Sequence, residues 1–375
     1  MAKLKVRNTV LDYKRDSYIG STPVCSGTLP RIDCSIGSSQ WGMSKRAMRT
    51  DLRIKENVAY AEPTYENLLK PVILKRFNAK GVTRANLFFG HGSFNLAERI
   101  IHKMIEPSVM LGVGPQFNEI PSEFEAAGGR YEPVLVRPPK YEFPMEELLE
   151  RIRSDVSVVY LDNPNNPLGR AVELPALKVI AGKASRVGAI LIVDEAYGDF
   201  IDDSRSAAHL VSSFDNLVVL RSLSKCLGLA AARVGYMFVS NELAEWYTQL
   251  DVPFEPALPS AILAWATLED KEFLRKVRST SAMEKRLIIP SLVEASLTVL
   301  PTDPATSILT VFSEDMDVAK AFASVDVIVE PGSAFQKTHP AWGASYCRLR
   351  LPPQNQVREL QARLRMLHKQ MVPTC

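Results

Sequence analysis

A lysine stands directly after a short apolar run, where a residue of its type could do chemistry. The run covers residues 217–220, and the polar turn Arg-Ser-Leu-Ser-Lys follows at 221–225. Burying an ammonium group is costly, and the usual relief is a lowered pKa, which leaves a neutral amine able to attack carbonyl carbons. The alternative is that Lys225 extends its charged end out of the turn into water. The lysine alone does not decide between these two interpretations.

Two other apolar runs are also followed by polar side chains. An Asn/Pro-rich turn that contains Asn166 follows one run, and Asp194 follows the other. Each case has a local explanation, because Asn and Pro favour turns and an Asp can cap a helix. These local explanations would have to hold independently for three strands in a row. We therefore interpret Asn166, Asp194 and Lys225 as parts of one site.

The elements that would position these residues alternate between strands and helices. Apolar strands separated by helices are typical of a parallel or mostly parallel sheet that is buried on both faces. Ligands bind such sheets beyond the carboxyl ends of the strands, which is where the three polar turns would lie. The sequence thus predicts an α/β fold with a mostly parallel central sheet sandwiched by helices. The predicted strands cover residues 86–90, 108–113, 131–136, 156–161, 189–193, 217–220 and 235–239, and predicted helices cover 65–78, 145–153 and 173–186.

Composition and pattern divide the chain into three parts. Residues 1–50 are rich in Ser, Gly, Pro and Thr, which predicts an irregular N-terminal arm that lies over other parts instead of forming a core. Residues 51–270 are the predicted large, cofactor-binding domain, and residues 271–375 a smaller α+β domain. A long helical region at about 259–292, interrupted near residue 268, connects them. The smaller domain is predicted to contain strands at 296–300, 307–312, 325–329 and 346–351 and a terminal helix at 354–371.

The composition argues against several classes of function. The formal net charge of the 375 residues is only +3, and acidic and basic residues are interspersed, so neither a nucleic acid nor a membrane is an expected partner. The five cysteines are scattered and never spaced as CxxC, which argues against a disulfide framework or a zinc site and fits a cytoplasmic protein. No stretch has the length and apolar character of a membrane span or a signal peptide.

Four groups of residues follow one another along the chain in a distinctive order and spacing: Asn163-Pro-Asn-Asn-Pro-Leu-Gly169, Asp194-Glu-Ala-Tyr197, Ser222-Leu-Ser-Lys225 with Arg233 eight residues later, and Pro331-Gly-Ser-Ala-Phe335 leading to Arg348. As a set they resemble the pyridoxal-phosphate enzymes of the aspartate aminotransferase fold, fold type I. Within that fold, Asp-Asn-Pro-Asn-Asn-Pro with Asp-Glu-Ala-Tyr is most similar to the branch of histidinol-phosphate aminotransferases and threonine-phosphate decarboxylases. The resemblance implies pyridoxal 5'-phosphate as the cofactor.

The resemblance also implies roles for the residues at the cofactor ring. Lys225 would form a Schiff base with the cofactor aldehyde and then move protons. Asp194 would pair with the pyridinium nitrogen, so that the ring can accept electrons from the substrate Cα. Asn166 and Tyr197 would hydrogen-bond the ring hydroxyl oxygen. Phe117 would stack on the ring, although an ordinary core phenylalanine is the alternative.

The cofactor phosphate would lie at a helix N-terminus, where backbone N–H groups and the helix dipole favour an anion. Hydroxyl and guanidinium donors would complete this site. Tyr60 matches a tyrosine that reaches the phosphate across a dimer interface, so the resemblance implies a homodimer with shared active sites. The implied phosphate ligands are the backbone of Gly92, Ser93 and Phe94 and the side chains of Ser222, Ser224 and Arg233.

The resemblance implies less about the substrate. Arg348 matches the arginine that binds the α-carboxylate, although Arg350, two residues further on the same strand face, could compete for that role. Histidinol-phosphate enzymes carry an arginine for the substrate phosphate where this chain has Glu330, and a glutamate repels a phosphate. An unphosphorylated, basic or polar amino acid is therefore expected. The pocket is predicted to include Arg348, Asn166 and Trp41, with His91, Gln40 and Glu330 as further candidates for which surface or core roles are the alternative.

The leading functional hypothesis is transamination of an amino acid. Decarboxylation, elimination or cyclisation of an amino acid on the same cofactor is the first alternative, because all these reactions begin by weakening a bond to Cα. A cofactor-binding regulator without catalytic activity is the second alternative. The intact lysine, aspartate and arginine, together with the lack of an N-terminal DNA-binding domain, argue against a regulator.

Overall fold

The computed structural model describes residues 9, 13, 24–35, 39–52 and 65–371. The strands within these residues form two sheets, one of seven strands and one of five. They are β1 (Ile32–Cys34), β2 (Leu87–Gly90), β3 (Val109–Gly114), β4 (Arg130–Leu135), β5 (Val156–Asp162), β6 (Ile190–Glu195), β7 (Leu217–Ser222), β8 (Gly235–Val239), β9 (Thr298–Val299), β10 (Ile308–Phe312), β11 (Val327–Pro331) and β12 (Tyr346–Arg350).

The larger sheet has the strand order β2-β8-β7-β6-β5-β3-β4. Strands β4, β3, β5, β6 and β7 run parallel to one another, whereas β8 is antiparallel to both β7 and β2. All seven predicted strands are present, each within a residue or two of its predicted bounds. The α/β fold with a mostly parallel central sheet is confirmed.

Alternate residues of the central strands pack on opposite faces of this sheet. In β5, Val159 and Leu161 join one core cluster, whereas Val158 and Tyr160 join another on the other side. Because both faces are covered, the strands are apolar along their whole length. The described α-helices are α1 (Lys45–Met48), α2 (Lys70–Phe77), α3 (Ser93–Lys103), α4 (Glu119–Ala126), α5 (Met145–Arg151), α6 (Leu174–Arg186), α7 (Asn241–Tyr247), α8 (Leu258–Leu268), α9 (Lys271–Glu294), α10 (Val318–Ser324) and α11 (Val357–Met371).

The register of the larger sheet aligns the chain segments that carry the polar turns. Asp162 at the end of β5 lies beside Asp194 of β6, and Ser222 at the end of β7 lies beside Gly235 at the start of β8. Gly235 pairs in turn with Gly90, the last residue of β2. The antiparallel direction of β8 therefore brings the turn that precedes α3 to the same edge as the polar ends of β5, β6 and β7.

The smaller sheet has the strand order β1-β11-β12-β10-β9 and corrects one prediction. Residues 32–34, within the predicted irregular arm, form β1 and pair in parallel with β11. Ile32 and Cys34 point into the core of this sheet, while Asp33 between them is exposed. A strand of three residues flanked by Ser and Pro is too short for its alternation to stand out in the sequence, so the arm hypothesis missed this core contribution.

The long helical region consists of α8 and α9, separated at Glu269 and Asp270 as the predicted interruption near residue 268 requires. The Asp270 side chain accepts a hydrogen bond from Phe273 N and so starts α9. The predicted boundary at residue 270 falls in this break. Within the described part of the chain, no helix combines the length and the apolar character needed to cross a bilayer.

Candidate active site

Asp194 is a buried carboxylate at the end of β6. Its Oδ1 accepts a hydrogen bond from Ala196 N at 2.9 Å, and its Oδ2 accepts one from the Tyr160 hydroxyl at 3.4 Å. Burial raises the pKa of Asp194 to about 6, against the opposing effect of these hydrogen bonds and of the Lys225 charge. At neutral pH the carboxylate is mostly ionised and can pair with a protonated ring nitrogen.

Lys225 and Tyr197 lie next to each other beyond the ends of β7 and β6. The Lys225 Nζ atom is 5.6 Å from the centroid of the Tyr197 ring, and Lys225 is half-buried. The Tyr197 hydroxyl is buried and has no hydrogen-bond partner in the described structure. A buried hydroxyl without a partner beside an amine is an arrangement that a polar ligand would complete.

A buried ion network fixes the backbone on both sides of these two residues. Arg221, at the end of β7, donates to Glu195 at 2.7 Å and also to Asp199. Arg76 of α2 bridges Asp199 and Asp203 at 2.7 Å each. The two carboxylates raise the pKa of Arg221, and the two guanidinium groups lower the pKa of Asp199. The network therefore anchors the turn that carries Tyr197 to the strand that leads to Lys225.

The turn before α3 forms a cradle for an anion. Gly92 has a φ of +93°, no side chain among the described residues caps the start of α3, and a helix N-terminus favours an anion. A Cβ at Gly92 would lie 2.6 Å from Arg233 Nη2, and a Cβ at Gly235 would lie 2.3 Å from Ser93 N. Arg233 itself donates to the His91 carbonyl at 3.3 Å. Because residues 92 and 235 are glycines, the Arg233 guanidinium and β8 can both lie close to the start of α3.

Ser222 and Ser224 are buried at the end of β7, next to this cradle. Ser222 pairs in register with Gly235, and its Oγ accepts a hydrogen bond from Ser224 N at 3.2 Å. The predicted phosphate donors Gly92, Ser93, Ser222 and Arg233 are thus gathered around the start of β8.

Arg348 of β12 joins the smaller sheet to the site. It donates from Nη1 to Asn166 Oδ1 at 2.9 Å and from Nη2 to the Ser35 carbonyl at 2.5 Å, while its buried Nε has no partner among the described residues. Glu330 on the neighbouring strand lies 3.3 Å from Nη2. Burial raises the pKa of Glu330, and the Arg348 charge opposes that effect. Arg350 instead donates to the backbone carbonyls of residues 33 and 351, so the structure brings Arg348, not Arg350, to Asn166.

The remaining predicted residues lie around this centre. Phe117 N donates to Asp162, and the side chains of Phe117 and Phe94 pack at the margin of one core cluster. The Trp41 ring is 5.7 Å from Phe200, which stacks on Tyr197. His91 pairs with Glu255 and not with another predicted site residue. The Gln40 amide is buried without a partner among the described residues. Tyr60 lies outside the described residues.

Sequence reasoning missed four residues at or near the site. Tyr160 lies within β5, where the sequence pattern shows only that an apolar residue alternates with its neighbours. Nothing in that pattern indicates that its hydroxyl contacts Asp194. Asp162 begins an Asn/Pro-rich segment, whose composition indicates only a turn. The Ser35 carbonyl is a backbone group and so has no sequence signal. Glu284 of α9 is almost fully buried, with neither carboxylate oxygen hydrogen-bonded within the described structure.

The groups that are present fit a phosphorylated pyridine aldehyde. An anion cradle lies at the start of α3, a buried carboxylate lies at the end of β6, and an amine with an unpartnered hydroxyl lies beside them. These are the partners for a phosphate, a ring nitrogen and an aldehyde with its neighbouring ring oxygen.

Comparison with known proteins agrees with this geometry. Residues 45–364 match the model of the family described as aminotransferase class I and II. A histidinol-phosphate aminotransferase of Caldicellulosiruptor saccharolyticus is 29% identical over 273 residues, which is 71% of this chain and 74% of the relative.

Solved structures share the fold. A histidinol-phosphate aminotransferase of Sinorhizobium meliloti in complex with pyridoxal-5'-phosphate superposes with a TM-score of 0.80 over 99% of both chains at 20% identity. An aspartate aminotransferase of Thermus thermophilus with maleate gives a TM-score of 0.79 over 97% of this chain and 100% of its own at 15% identity. Both agree with the resemblance found in the sequence. The chain therefore belongs to the aminotransferase class I and II family and is a pyridoxal-phosphate-dependent aminotransferase of fold type I.

Proposed function

We propose that this aminotransferase takes the amino group from an unphosphorylated amino acid, with Lys225 as the residue that moves the proton at Cα. The observation that carries the proposal is the meeting of three groups at one edge of the larger sheet. The Lys225 amine lies beside Tyr197, the Asp194 carboxylate is buried next to them, and Arg348 contacts Asn166 from the smaller sheet.

Each group has a task that follows from its surroundings. Pyridoxal phosphate, when bound, withdraws electrons from the bonds at the substrate Cα. Asp194 would hold the proton of the ring nitrogen, and the Tyr160 hydroxyl would keep that carboxylate oriented. Tyr197 would donate its unpartnered hydroxyl to the ring oxygen. Lys225 Nζ, which lies beside the Tyr197 ring, would accept the proton from the substrate Cα and later return it.

Arg348 would bind the substrate α-carboxylate. Its two hydrogen bonds to Asn166 and Ser35 fix the plane of the guanidinium, and its Nε still has no acceptor in the described structure. A guanidinium held in this way can donate its Nε proton to a carboxylate. If Glu330 gives up its 3.3 Å contact with Nη2, the same carboxylate can accept a second, parallel hydrogen bond, which fixes the orientation of the amino acid.

Glu330 supports a substrate without a phosphate. Its buried carboxylate lies 3.3 Å from Arg348 Nη2, so a phosphate in this part of the site would face a negative charge. A substrate side chain with a cation or with N–H donors is better suited to that carboxylate.

The names of the relatives favour a second candidate, histidinol phosphate as substrate. The Caldicellulosiruptor relative is named a histidinol-phosphate aminotransferase, although it shares only 29% of aligned residues with this chain. Glu330 counts against this candidate because, by the resemblance described above, histidinol-phosphate enzymes carry a phosphate-binding arginine at that position.

The proposal includes a homodimer and a cytoplasmic location. Tyr60 would reach the cofactor phosphate of the partner subunit, as the family resemblance implies. The cysteines among the described residues are free, which suits a reducing compartment.

A substrate screen tests the proposed function. The cofactor-loaded protein is mixed with single amino acids and with histidinol phosphate, and the visible spectrum and the oxo-acid or aldehyde product are followed. We expect a basic or polar amino acid to give product and histidinol phosphate to give none. Turnover of histidinol phosphate alone would support the second candidate instead, and carbon dioxide or ammonia in place of an oxo product would contradict transamination.

A further inference from the structure

Asp162 is a buried carboxylate that has no role in the proposal above. It is the last residue of β5, and the register places it beside Asp194, the last but one residue of β6. Burial raises the pKa of Asp162 to about 7, while N–H donors from three neighbouring residues act in the opposite direction. Burying a carboxylate beside a second carboxylate reduces the stability of the fold unless hydrogen bonds compensate for the lost hydration.

The hydrogen-bond partners of Asp162 belong to two loops that both lead to the cofactor site. One oxygen, Oδ2, accepts hydrogen bonds from Phe117 N at 3.1 Å and from Asn166 N at 2.9 Å. The other oxygen, Oδ1, accepts one from the Asn165 side chain at 2.8 Å, and the same Asn165 nitrogen donates to the Pro115 carbonyl at 2.8 Å. One side chain therefore ties the loop after β3 to the loop after β5.

We propose that Asp162 is the positioning residue that sets Phe117 and Asn166 against the cofactor ring at the same time. The inference rests on the proposed function, because only a bound cofactor gives the two residues a common target. Asp162 itself does not touch the reacting atoms in this account. It acts through the two backbone N–H groups that share its Oδ2 atom.

The shared acceptor has a specific consequence. If the carboxylate is removed, Phe117 N and Asn166 N lose their acceptor together, and both loops must rearrange to satisfy these groups. The displacement would reach Arg348 as well, because Asn166 Oδ1 accepts the hydrogen bond from Arg348 Nη1. Small misplacements of orienting groups lower turnover strongly even when the reacting groups are intact.

The experiment compares Asp162→Ala and Asp162→Asn with Asp326→Asn as a matched control. Asp326 also organises a local segment, since it accepts hydrogen bonds from Ser26, Gly27 N, Thr28 and Leu29 N, but that segment belongs to the smaller sheet. Asparagine at 162 keeps one carbonyl oxygen that can accept both backbone N–H groups. Asp162→Asn should therefore retain much of the loop order and activity that Asp162→Ala loses.

Three readouts are used on the 375-residue chain: amide hydrogen exchange, visible circular dichroism and kcat/KM. Amide hydrogen exchange without added cofactor reports on Phe117 N and Asn166 N directly. Visible circular dichroism after loading with pyridoxal phosphate reports on how firmly the ring is held. For Asp162→Ala we expect exchange roughly tenfold faster at both amides, a loss of most of the visible signal, and kcat/KM lower by roughly 10- to 100-fold. Asp162→Asn should lie nearer to the wild type, and Asp326→Asn should match it in all three.

Other results would overturn the inference. Unchanged exchange at Phe117 and Asn166 in Asp162→Ala would show that the carboxylate does not hold the loops. A visible signal and kcat/KM equal to those of Asp326→Asn would show that holding the loops does not position the cofactor. The wild type could take up no pyridoxal phosphate while amide exchange at Phe117 and Asn166 is still faster in Asp162→Ala. In that case the proposed function would be wrong, and so would the claim that Asp162 positions the two residues against a cofactor.

Discussion

Arg348 and Arg350 lie on one face of β12, yet their surroundings differ. Arg348 contacts the Asn166 side chain, whereas Arg350 is held by backbone carbonyl groups. The Nε of each arginine is buried without a hydrogen-bond partner among the described residues. Strand alternation puts both residues on the same side, so the sequence could not separate them. The contact with Asn166 is what separates them in the structure.

This difference gives the first prediction. Arg348→Lys should raise KM for the amino acid roughly tenfold or more, because a single ammonium group replaces a two-point hydrogen-bonding contact. Arg350→Lys is the matched control and should leave KM within about twofold, since the buried Arg350 guanidinium donates to backbone carbonyl groups and not to Asn166. Steady-state kinetics with the same amino acid measures both. A larger effect of Arg350→Lys would reassign the carboxylate site.

Glu284 gives a prediction about stability and pH. It is almost fully buried on α9, and burial raises its pKa to about 7, although the nearby Trp41 indole acts in the opposite direction. A glutamate in the unfolded chain has a pKa of about 4.3. Between these two values the unfolded chain has released its proton while the folded chain retains it, so this residue lowers stability as pH rises towards 7.

Glu284→Gln removes this dependence. Relative to the wild type, the variant should gain about 1–3 kcal/mol of unfolding free energy between pH 5 and pH 8. Chemical denaturation at the two pH values measures the change. Glu272→Gln, at an exposed position on the same helix, should show no such gain. Parallel pH profiles for the wild type and Glu284→Gln would refute the account of this residue.

At the scale of elements, the site depends on the close approach of β8 to the start of α3. Gly235 has no room for a side chain, because a Cβ there would lie 2.3 Å from both Gly92 C and Ser93 N. The antiparallel strand and the helix start are therefore held at a distance that only glycine allows. The anion cradle is a product of this contact between two elements.

Gly235→Ala should weaken cofactor binding. The added methyl group must push α3 away from β8, and overpacking of this kind typically costs 1–3 kcal/mol, or roughly a tenfold loss of affinity for pyridoxal phosphate. Gly182→Ala in α6 is the control, because its Cβ would meet only Phe214 at an ordinary 3.6 Å. Fluorescence titration with the cofactor measures both. Equal affinity in the two variants would argue against the cradle.

The elements also show what a sequence can and cannot predict. The central strands are visible in the sequence because long apolar runs end in polar turns, and Lys225, Asp194 and Asn166 are predicted as site residues for the same reason. The strand β1 was missed because three residues carry almost no periodic signal. Asp162 has no sequence signal of its own because an Asp before Asn-Pro suggests a turn, and one of its N–H partners, Phe117 N, comes from a loop 45 residues away.

At the scale of the whole molecule, the site lies where the two sheets meet. Arg348 of the smaller sheet and Asn166 of the larger one form a hydrogen bond across this junction. Lys285 adds a second link, since it donates to Thr306, which in turn donates to the Gly169 carbonyl. A relative movement of the two sheets would therefore change the substrate contact directly.

The proposed homodimer is a prediction at this scale. The cofactor-loaded protein should have the mass of two 41.7 kDa chains in solution, and Tyr60→Phe should weaken cofactor binding if the tyrosine completes the phosphate site of its partner. Light scattering after size-exclusion chromatography and a cofactor titration measure these two effects. A monomer that is fully active would contradict shared active sites.

The most direct test of the central claim is to locate the cofactor on the chain. The protein is loaded with pyridoxal phosphate, reduced with borohydride, digested and analysed by mass spectrometry. The account predicts that the phosphopyridoxyl group is on Lys225, and that Lys225→Ala carries none and has no transaminase activity. A modified Lys285, which is a buried lysine near the junction of the two sheets, or an active Lys225→Ala variant would contradict it.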